Sequence, residues 1–70
     1  MQWMIVHYPR LRDVFIDGMR AGRTDEVLPV REGTQDVDLG KPVDYTPVKR
    51  RVTVTDTSED QPKEVEFTPV

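Results

Sequence analysis

Turn-forming residues interrupt this sequence every few positions, and only short apolar runs lie between them. In the stretch VFIDGMRAGRTDEVLPVREGTQDVDLG, residues 14–40, the pairs Asp-Gly, Ala-Gly and Glu-Gly separate such runs. Glycine tolerates the positive φ angles of tight turns, and segments this short are not typical of helices. The spacing therefore predicts short strands joined by tight turns.

Six runs are rich in β-branched and aromatic residues or alternate between apolar and polar side chains, as half-buried strands do. These runs are Trp3–Tyr8, Asp13–Asp17, Glu26–Val30, Gln35–Leu39, Val48–Thr55 and Lys63–Phe67. A helix over residues 10–22 is the alternative for one of them, but Gly18 and the β-branched residues Val14 and Ile16 weigh against it. We expect an all-β fold, a small antiparallel β-sandwich or open barrel of about six short strands, formed by residues 1–70 as a single domain.

Alternation within the runs assigns a set of apolar side chains to the inner faces of this fold. They are Val6, Val14, Ile16, Leu28, Val30, Val37, Leu39, Val52, Val54, Val65 and Phe67. A chain of 70 residues without cysteine is close to the size at which a core alone stops being sufficient for a stable domain. We therefore expect modest stability, part of which can come from a partner chain.

Four glycines fall between or beside the predicted strands. They are Gly18, Gly22, Gly33 and Gly40. A phosphate-binding loop gathers its glycines in one loop ahead of a helix, whereas these are separated by strand-like runs. We interpret all four as turn residues that let the chain reverse.

The sequence contains few of the side chains on which catalysis or metal binding depends. His7 is the only histidine and Ser58 the only serine, and nothing around Ser58 resembles a nucleophile elbow. The acidic loop 56–62 begins like a calcium loop, but Gln61 and Phe67 stand where such a loop needs Gly and Glu. Zinc sites need cysteine and histidine donors that the chain lacks. We therefore expect no enzyme activity, no metal and no cofactor.

The charge balance disfavours nucleic acid as a partner. The formal net charge is −3, and the basic run Lys49-Arg50-Arg51 is short enough to be a solvated cluster at a sheet edge. No apolar run approaches the roughly 18 residues that span a membrane, and the N-terminus lacks the features of a signal peptide. Together with the absence of cysteine, this indicates a cytoplasmic protein without membrane insertion, provided that the chain is complete, as Met1 suggests.

The aromatic residues are the best candidates for a binding surface, because the alternating core does not need all of them. Trp3 is expected on the same strand face as Ile5 and His7, and Phe15 on the face opposite Val14. Either the aromatic residues complete the core or a satellite cluster beneath the 42–47 crossing, or Trp3 and Phe15, with Met4 and Met19, form an exposed apolar patch that is buried against a partner.

The second possibility assigns partner contact to three aromatic side chains, with two neighbouring arginines at the rim. These residues are Trp3, Tyr8, Phe15, Arg10 and Arg12. We expect a non-enzymatic protein–protein interaction or structural module, whose partner is an unknown protein or a second copy of the chain. A different class of function is the binding of a small carbohydrate-type ligand that stacks on Trp3 and Tyr45.

The turn-rich stretch resembles the PEGA domain, a small β-sandwich module. The matching segments are VFIDG (14–18), AGRT (21–24), VLPV (27–30), EGTQDVDL (32–39) and Tyr45. Asp25 stands where that family usually has proline, and Gln35 stands where it often has histidine. The resemblance implies a transthyretin-like fold and an accessory, non-catalytic role, often within larger envelope-associated proteins, and it carries over no functional residues.

Overall fold

A computed structural model describes residues 1–70, which form strands and no helix. The strands are β1 (Gln2–His7), β2 (Asp13–Ile16), β3 (Met19–Arg23), β4 (Val27–Val30), β5 (Gly33–Asp38), β6 (Tyr45–Thr46), β7 (Arg50–Val54), β8 (Lys63–Glu66) and β9 (Thr68–Pro69). The expected all-β class is confirmed. The predicted runs coincide with β1, β2, β4, β5, β7 and β8, whereas β3 and the two-residue strands β6 and β9 were not predicted.

The strands form three small sheets around one core. A three-stranded sheet has the order β4-β1-β8, a four-stranded sheet has the order β3-β2-β5-β7, and β6 pairs with β9. All three sheets contribute side chains to a single cluster of 13 buried apolar residues, so the two larger sheets pack with their inner faces together.

One strand pair departs from the antiparallel arrangement expected from the sequence. All pairs are antiparallel except β1 and β8, which run parallel. A parallel neighbour requires the chain to cross over before it pairs. The acidic loop and its flanking residues, 55–62, make such a crossing from β7 in the four-stranded sheet to β8 in the three-stranded sheet.

The core contains most of the side chains that alternation assigned to it. Ten of the eleven predicted core residues are buried, and the eleventh, Ile16, is partly buried against the cluster. Met4, Tyr8 and Tyr45 are also buried. Met4 was considered for an exposed patch, but it shares its face of β1 with the core residue Val6, so the alternation that assigns Val6 to the core also assigns Met4.

Asp17 and Gly18 form the two-residue turn between β2 and β3. Their φ angles of 51° and 83° match a type I′ turn, whose twist suits a hairpin. The Asp17 N–H donates to the Asp36 carbonyl at 2.8 Å, and the Asp36 N–H donates to Asp17 Oδ1 at 2.9 Å. The second of these hydrogen bonds is the main cause that lowers the pKa of Asp17, and both join the hairpin to β5.

Gly22 does not lie in a turn, contrary to its interpretation from the sequence. It lies within β3, and a Cβ atom there would overlap Cδ2 of the buried Leu28. The missing side chain therefore makes room for Leu28 where β3 and β4 approach each other. The segment MRAGR has no β-branched or aromatic residue, and it becomes a strand because the tight turn brings it against β2.

Candidate functional site

The outer face of the three-stranded sheet is centred on β1, its middle strand. Met4 and Val6 are buried, so alternation turns Trp3, Ile5 and His7 to the outer face. These three side chains are partly exposed, on one strand face as expected from the sequence.

Strand β4 extends this surface on one side of β1. The register places Pro29 beside Trp3 and Val27 beside Ile5. Both Pro29 and Val27 are exposed, Val27 over 41% of its surface, while the intervening Leu28 enters the core. We call Trp3, Ile5, Val27 and Pro29 the apolar patch.

The outer face of the four-stranded sheet is mostly polar, and its side chains are paired with one another. The cross-strand pairs are Asp13–Arg20 (3.1 Å), Asp36–Arg51 (3.2 Å) and Thr34–Thr53 (3.0 Å). A face that satisfies its own polar groups in this way is typical of a surface that stays in water. The outer face of the three-stranded sheet differs from this polar face because it carries the apolar patch.

Carboxylates surround His7 at one end of the apolar patch. Nε2 of His7 lies 2.9 Å from Glu64 Oε1 on β8, and Nδ1 lies 3.5 Å from Asp25 Oδ1 in the turn between β3 and β4. The hydrogen bond to Glu64 is the largest cause that raises the pKa of His7, desolvation opposes it, and Asp25 acts in the same direction as Glu64. Glu66 follows on β8, beside His7 in the strand register.

The 55–62 loop lies beside the other end of the patch, at Trp3. The Trp3 N–H donates to Thr57 Oγ1 at 2.7 Å, and the Thr57 N–H donates to Gln2 Oε1 at 2.9 Å. Strand β8 pairs with β1 only from Met4 onward, so it leaves the edge of β1 at Trp3 uncovered. Thr57 occupies this uncovered part of the edge. The carboxylates around His7 form what we call the acidic rim: Asp25, Glu64 and Glu66.

The structure separates the two aromatic residues that were expected to share a contact surface. Trp3 belongs to the apolar patch, whereas Phe15 points outward from the four-stranded sheet, since its neighbour Val14 faces the core. The Phe15 ring covers Gly40, where a Cβ atom would lie 2.6 Å from Cε1 of the ring. The two outer faces look in opposite directions, so Trp3 and Phe15 cannot contact one site together.

Tyr8 and Arg12, expected at the contact surface, form part of the interior and its edge instead. Tyr8 is only 3% exposed, and its ring meets that of Tyr45 edge-on with centroids 6.4 Å apart. The Arg12 guanidinium lies over both rings and donates to Asp44 Oδ1 at 2.6 Å and to the Pro42 carbonyl at 2.9 Å. The hydrogen bond from Arg12 is the main cause that lowers the pKa of Asp44. Arg12 therefore holds the segment before β6 in place and is not a rim charge.

Arg10 and Tyr45 also lie apart from the apolar patch. Arg10 is exposed beyond the end of β1, and its carbonyl accepts a hydrogen bond from the hydroxyl of the buried Thr24 at 2.8 Å. Tyr45 is buried, and its hydroxyl donates to the Gly40 carbonyl at 2.8 Å and accepts from the Leu39 N–H at 3.2 Å. A ring enclosed in this way has no face free for a sugar, so Tyr45 drops out of the carbohydrate hypothesis.

Two members of the apolar patch, Val27 and Pro29, were missed by the sequence reasoning. Leu28 and Val30 were correctly assigned to the core, and the same alternation points Val27 and Pro29 outward. The missing information was the strand order, because only the pairing of β4 with β1 brings these residues beside Trp3 and Ile5. That pairing joins segments more than twenty residues apart in the chain.

The structure does not bring the single histidine and the single serine together. Both ring nitrogens of His7 face carboxylates, while Ser58 Oγ accepts the N–H of Gln61 at 3.0 Å within the 55–62 loop. No group of three His, Asp or Glu side chains is arranged to hold a metal ion. The fold also includes no helix capable of crossing a membrane.

Comparison with known proteins gives no relative from which a role could be transferred. The chain matches no protein-family model, no curated protein and no solved structure. A function for it must therefore be argued from its own surface.

Proposed function

We propose that this chain is a non-enzymatic interaction module that binds a protein partner through the apolar patch. The observation that carries the proposal is the contrast between the two outer faces. One satisfies its polar side chains in cross-strand pairs, and the other exposes grouped apolar side chains around Trp3. Grouped, exposed apolar residues that include a tryptophan are typical of the centre of an interface.

The resemblance to PEGA modules supports the same role. Such modules are accessory and non-catalytic, and the segments that carry the resemblance here lie in β2, β3, β4 and β5. The apolar patch takes two of its members, Val27 and Pro29, from one of these segments. A reducing, cytoplasmic location is part of the proposal, because the fold uses no disulfide.

A comparative capture experiment tests the proposal. Ile5→Thr and Val27→Thr keep β-branched side chains on their strands but make the outer face polar, and Trp3→Ala removes the largest side chain of the patch. Thr53→Ala, on the outer face of the four-stranded sheet, is the matched control. Truncating a central interface residue commonly weakens binding by about 1–3 kcal/mol, or roughly tenfold to a hundredfold. We expect a partner that the wild type and Thr53→Ala retain and that the patch variants lose.

The capture experiment is interpreted only for variants whose circular dichroism melts show a folded chain. Equal retention by the wild type and all three patch variants would contradict the proposal. Loss from Thr53→Ala alone would place the interface on the other sheet. The carbohydrate hypothesis, now reduced to Trp3, is tested in parallel, since Trp3 is the only tryptophan and its fluorescence reports directly on sugars added one by one.

A further inference from the structure

The charges around the apolar patch indicate what kind of partner it takes. We propose that the patch binds a short segment of a partner protein in which apolar residues are flanked by lysine or arginine. This inference rests on the proposed function. The proposed function gives the position of the binding surface, and the inference adds the chemistry of the partner that binds there. It follows from the size of the patch and from the sign of the charges around it.

The apolar patch and His7 cover a smaller area than a standard protein–protein interface. Strands lie about 4.8 Å apart, so the three-stranded sheet is about 10 Å wide between its outer strands. The four steps from Trp3 to His7 along β1 span about 13 Å. A standard interface buries roughly 800 Å² on each partner, several times the area that these dimensions enclose. A segment of a few residues matches the patch in length and width.

The acidic rim surrounds the His7 end of the surface, whereas Met1 and Arg31 lie beside Pro29. Asp25 and Glu64 lie on the two sides of His7, and Glu66 lies beside His7 in the register of β8. Lys63, at the start of β8, shares its strand face with the buried Val65 and not with Glu64 and Glu66. Two of the arginines are already paired on the outer face of the four-stranded sheet, and Arg12 is held by Asp44. Flanking cations on the partner therefore find exposed carboxylates here, two of which are shared with His7 alone.

The same charges disfavour other occupants of the patch. Two copies that met face to face through this surface would bring acidic rim against acidic rim, and like charges across an interface are destabilising. Phosphate groups of a nucleic acid or of an anionic lipid surface would meet the same repulsion. A segment in which apolar residues are flanked by lysine or arginine complements both the apolar patch and the acidic rim.

Two synthetic peptides test the inference on the full chain. Each has three central apolar residues without tryptophan, and one carries two lysines at each end where its twin carries two glutamates. Trp3 fluorescence in low salt is the readout. We expect a saturable change with the lysine peptide, weakened severalfold as salt rises toward 0.5 M, because exposed charges are screened over a few ångströms at that concentration.

Charge reversal at the rim provides the second arm of the test. The double variant Glu64→Lys/Glu66→Lys lies on an exposed edge strand, so it leaves the core unchanged. With two favourable pairs lost and two repulsive ones created, we expect affinity for the lysine peptide to fall by about tenfold and affinity for the glutamate peptide to rise. Arg51→Glu on the other sheet is the matched control and should change neither affinity.

The peptide measurements test the class of partner, and the capture experiment tests the interaction surface itself. Binding of the lysine peptide that the rim variant weakens supports the inferred partner class. Equal or stronger binding of the glutamate peptide, or no change of Trp3 fluorescence with either peptide, overturns it. The proposed function is tested independently by capture, because patch variants that lose a partner support an interaction surface whatever charge that partner carries.

Discussion

The hydroxyl groups of Tyr45 and Tyr8 offer a direct test of how the end of this small core is held together. Both side chains are 3% exposed, so removing either hydroxyl is the same chemical change at the same depth. The Tyr45 hydroxyl donates to the Gly40 carbonyl at 2.8 Å and accepts from the Leu39 N–H at 3.2 Å. The Tyr8 hydroxyl has only a 3.5 Å contact with the Asp44 carbonyl.

Tyr45→Phe should therefore be far more destabilising than Tyr8→Phe. The first variant keeps the ring and its edge-on contact with Phe67 but leaves the buried Leu39 N–H without a partner. A buried donor left unpaired costs about 1–3 kcal/mol, and the Gly40 carbonyl adds a smaller amount, so we expect a loss of about 2–3 kcal/mol. A 3.5 Å contact is close to no hydrogen bond, so Tyr8→Phe should cost less than about 0.5 kcal/mol.

Thermal unfolding followed by circular dichroism measures this difference. For a domain of this size each kcal/mol lowers Tm by roughly 4–8 °C, so Tyr45→Phe should lower Tm by roughly 8–24 °C. Amide exchange at Leu39 should also accelerate in Tyr45→Phe and stay slow in Tyr8→Phe. Equal Tm shifts for the two variants, or a Tyr45→Phe chain as stable as the wild type, would mean that the Tyr45 hydroxyl does not hold the Leu39 N–H and the Gly40 carbonyl.

Three further predictions concern packing and pH. Gly22→Ala should destabilise the fold by about 1–3 kcal/mol, because the added methyl group overpacks against Leu28. A double-mutant cycle with Leu28→Ala, measured by urea unfolding, should show that the two losses of stability are not additive. Additive losses would contradict the contact between the two residues. The pKa of His7 is raised, so the folding stability that its pairing with Glu64 contributes is fully present below pH 6.5 and is lost as pH rises through the folded-state pKa. NMR titration should give a midpoint above 6.5 that Glu64→Gln lowers, and an unchanged midpoint would contradict that pairing. The pKa of Asp44 is lowered, so Asp44→Asn should lower the stability of the chain at pH 7, and the stabilities of variant and wild type should converge as acid protonates Asp44. A difference in stability that persists in strong acid would contradict the pairing with Arg12.

The fold could be predicted wherever the determining interactions are local along the chain. Alternation with a period of two selects the buried faces of β4, β5, β7 and β8 correctly, because one face of each strand must leave water. The hairpin at Asp17 and Gly18 follows from the positive φ angles that its turn requires. Strand β3 could not be found in this way, since its conformation comes from pairing with β2.

The candidate site could be predicted only in part, because it depends on contacts between distant segments. Trp3 was identified from its residue type, but its neighbours Val27 and Pro29 reach it only through the strand order β4-β1-β8. Tyr8 and Arg12 were misplaced for the same reason. Their burial depends on Tyr45 and Asp44, more than thirty residues away in the chain.

The most direct test of the interaction surface is photo-crosslinking from the patch itself. A benzoylphenylalanine in place of the exposed Val27 reports contacts of the apolar patch, and the same residue in place of Thr53 reports contacts of the opposite face. After irradiation in cell extract, we expect a discrete adduct from position 27 that Trp3→Ala abolishes, and none from position 53. An adduct from position 53 alone, or equal adducts from both positions, would contradict it.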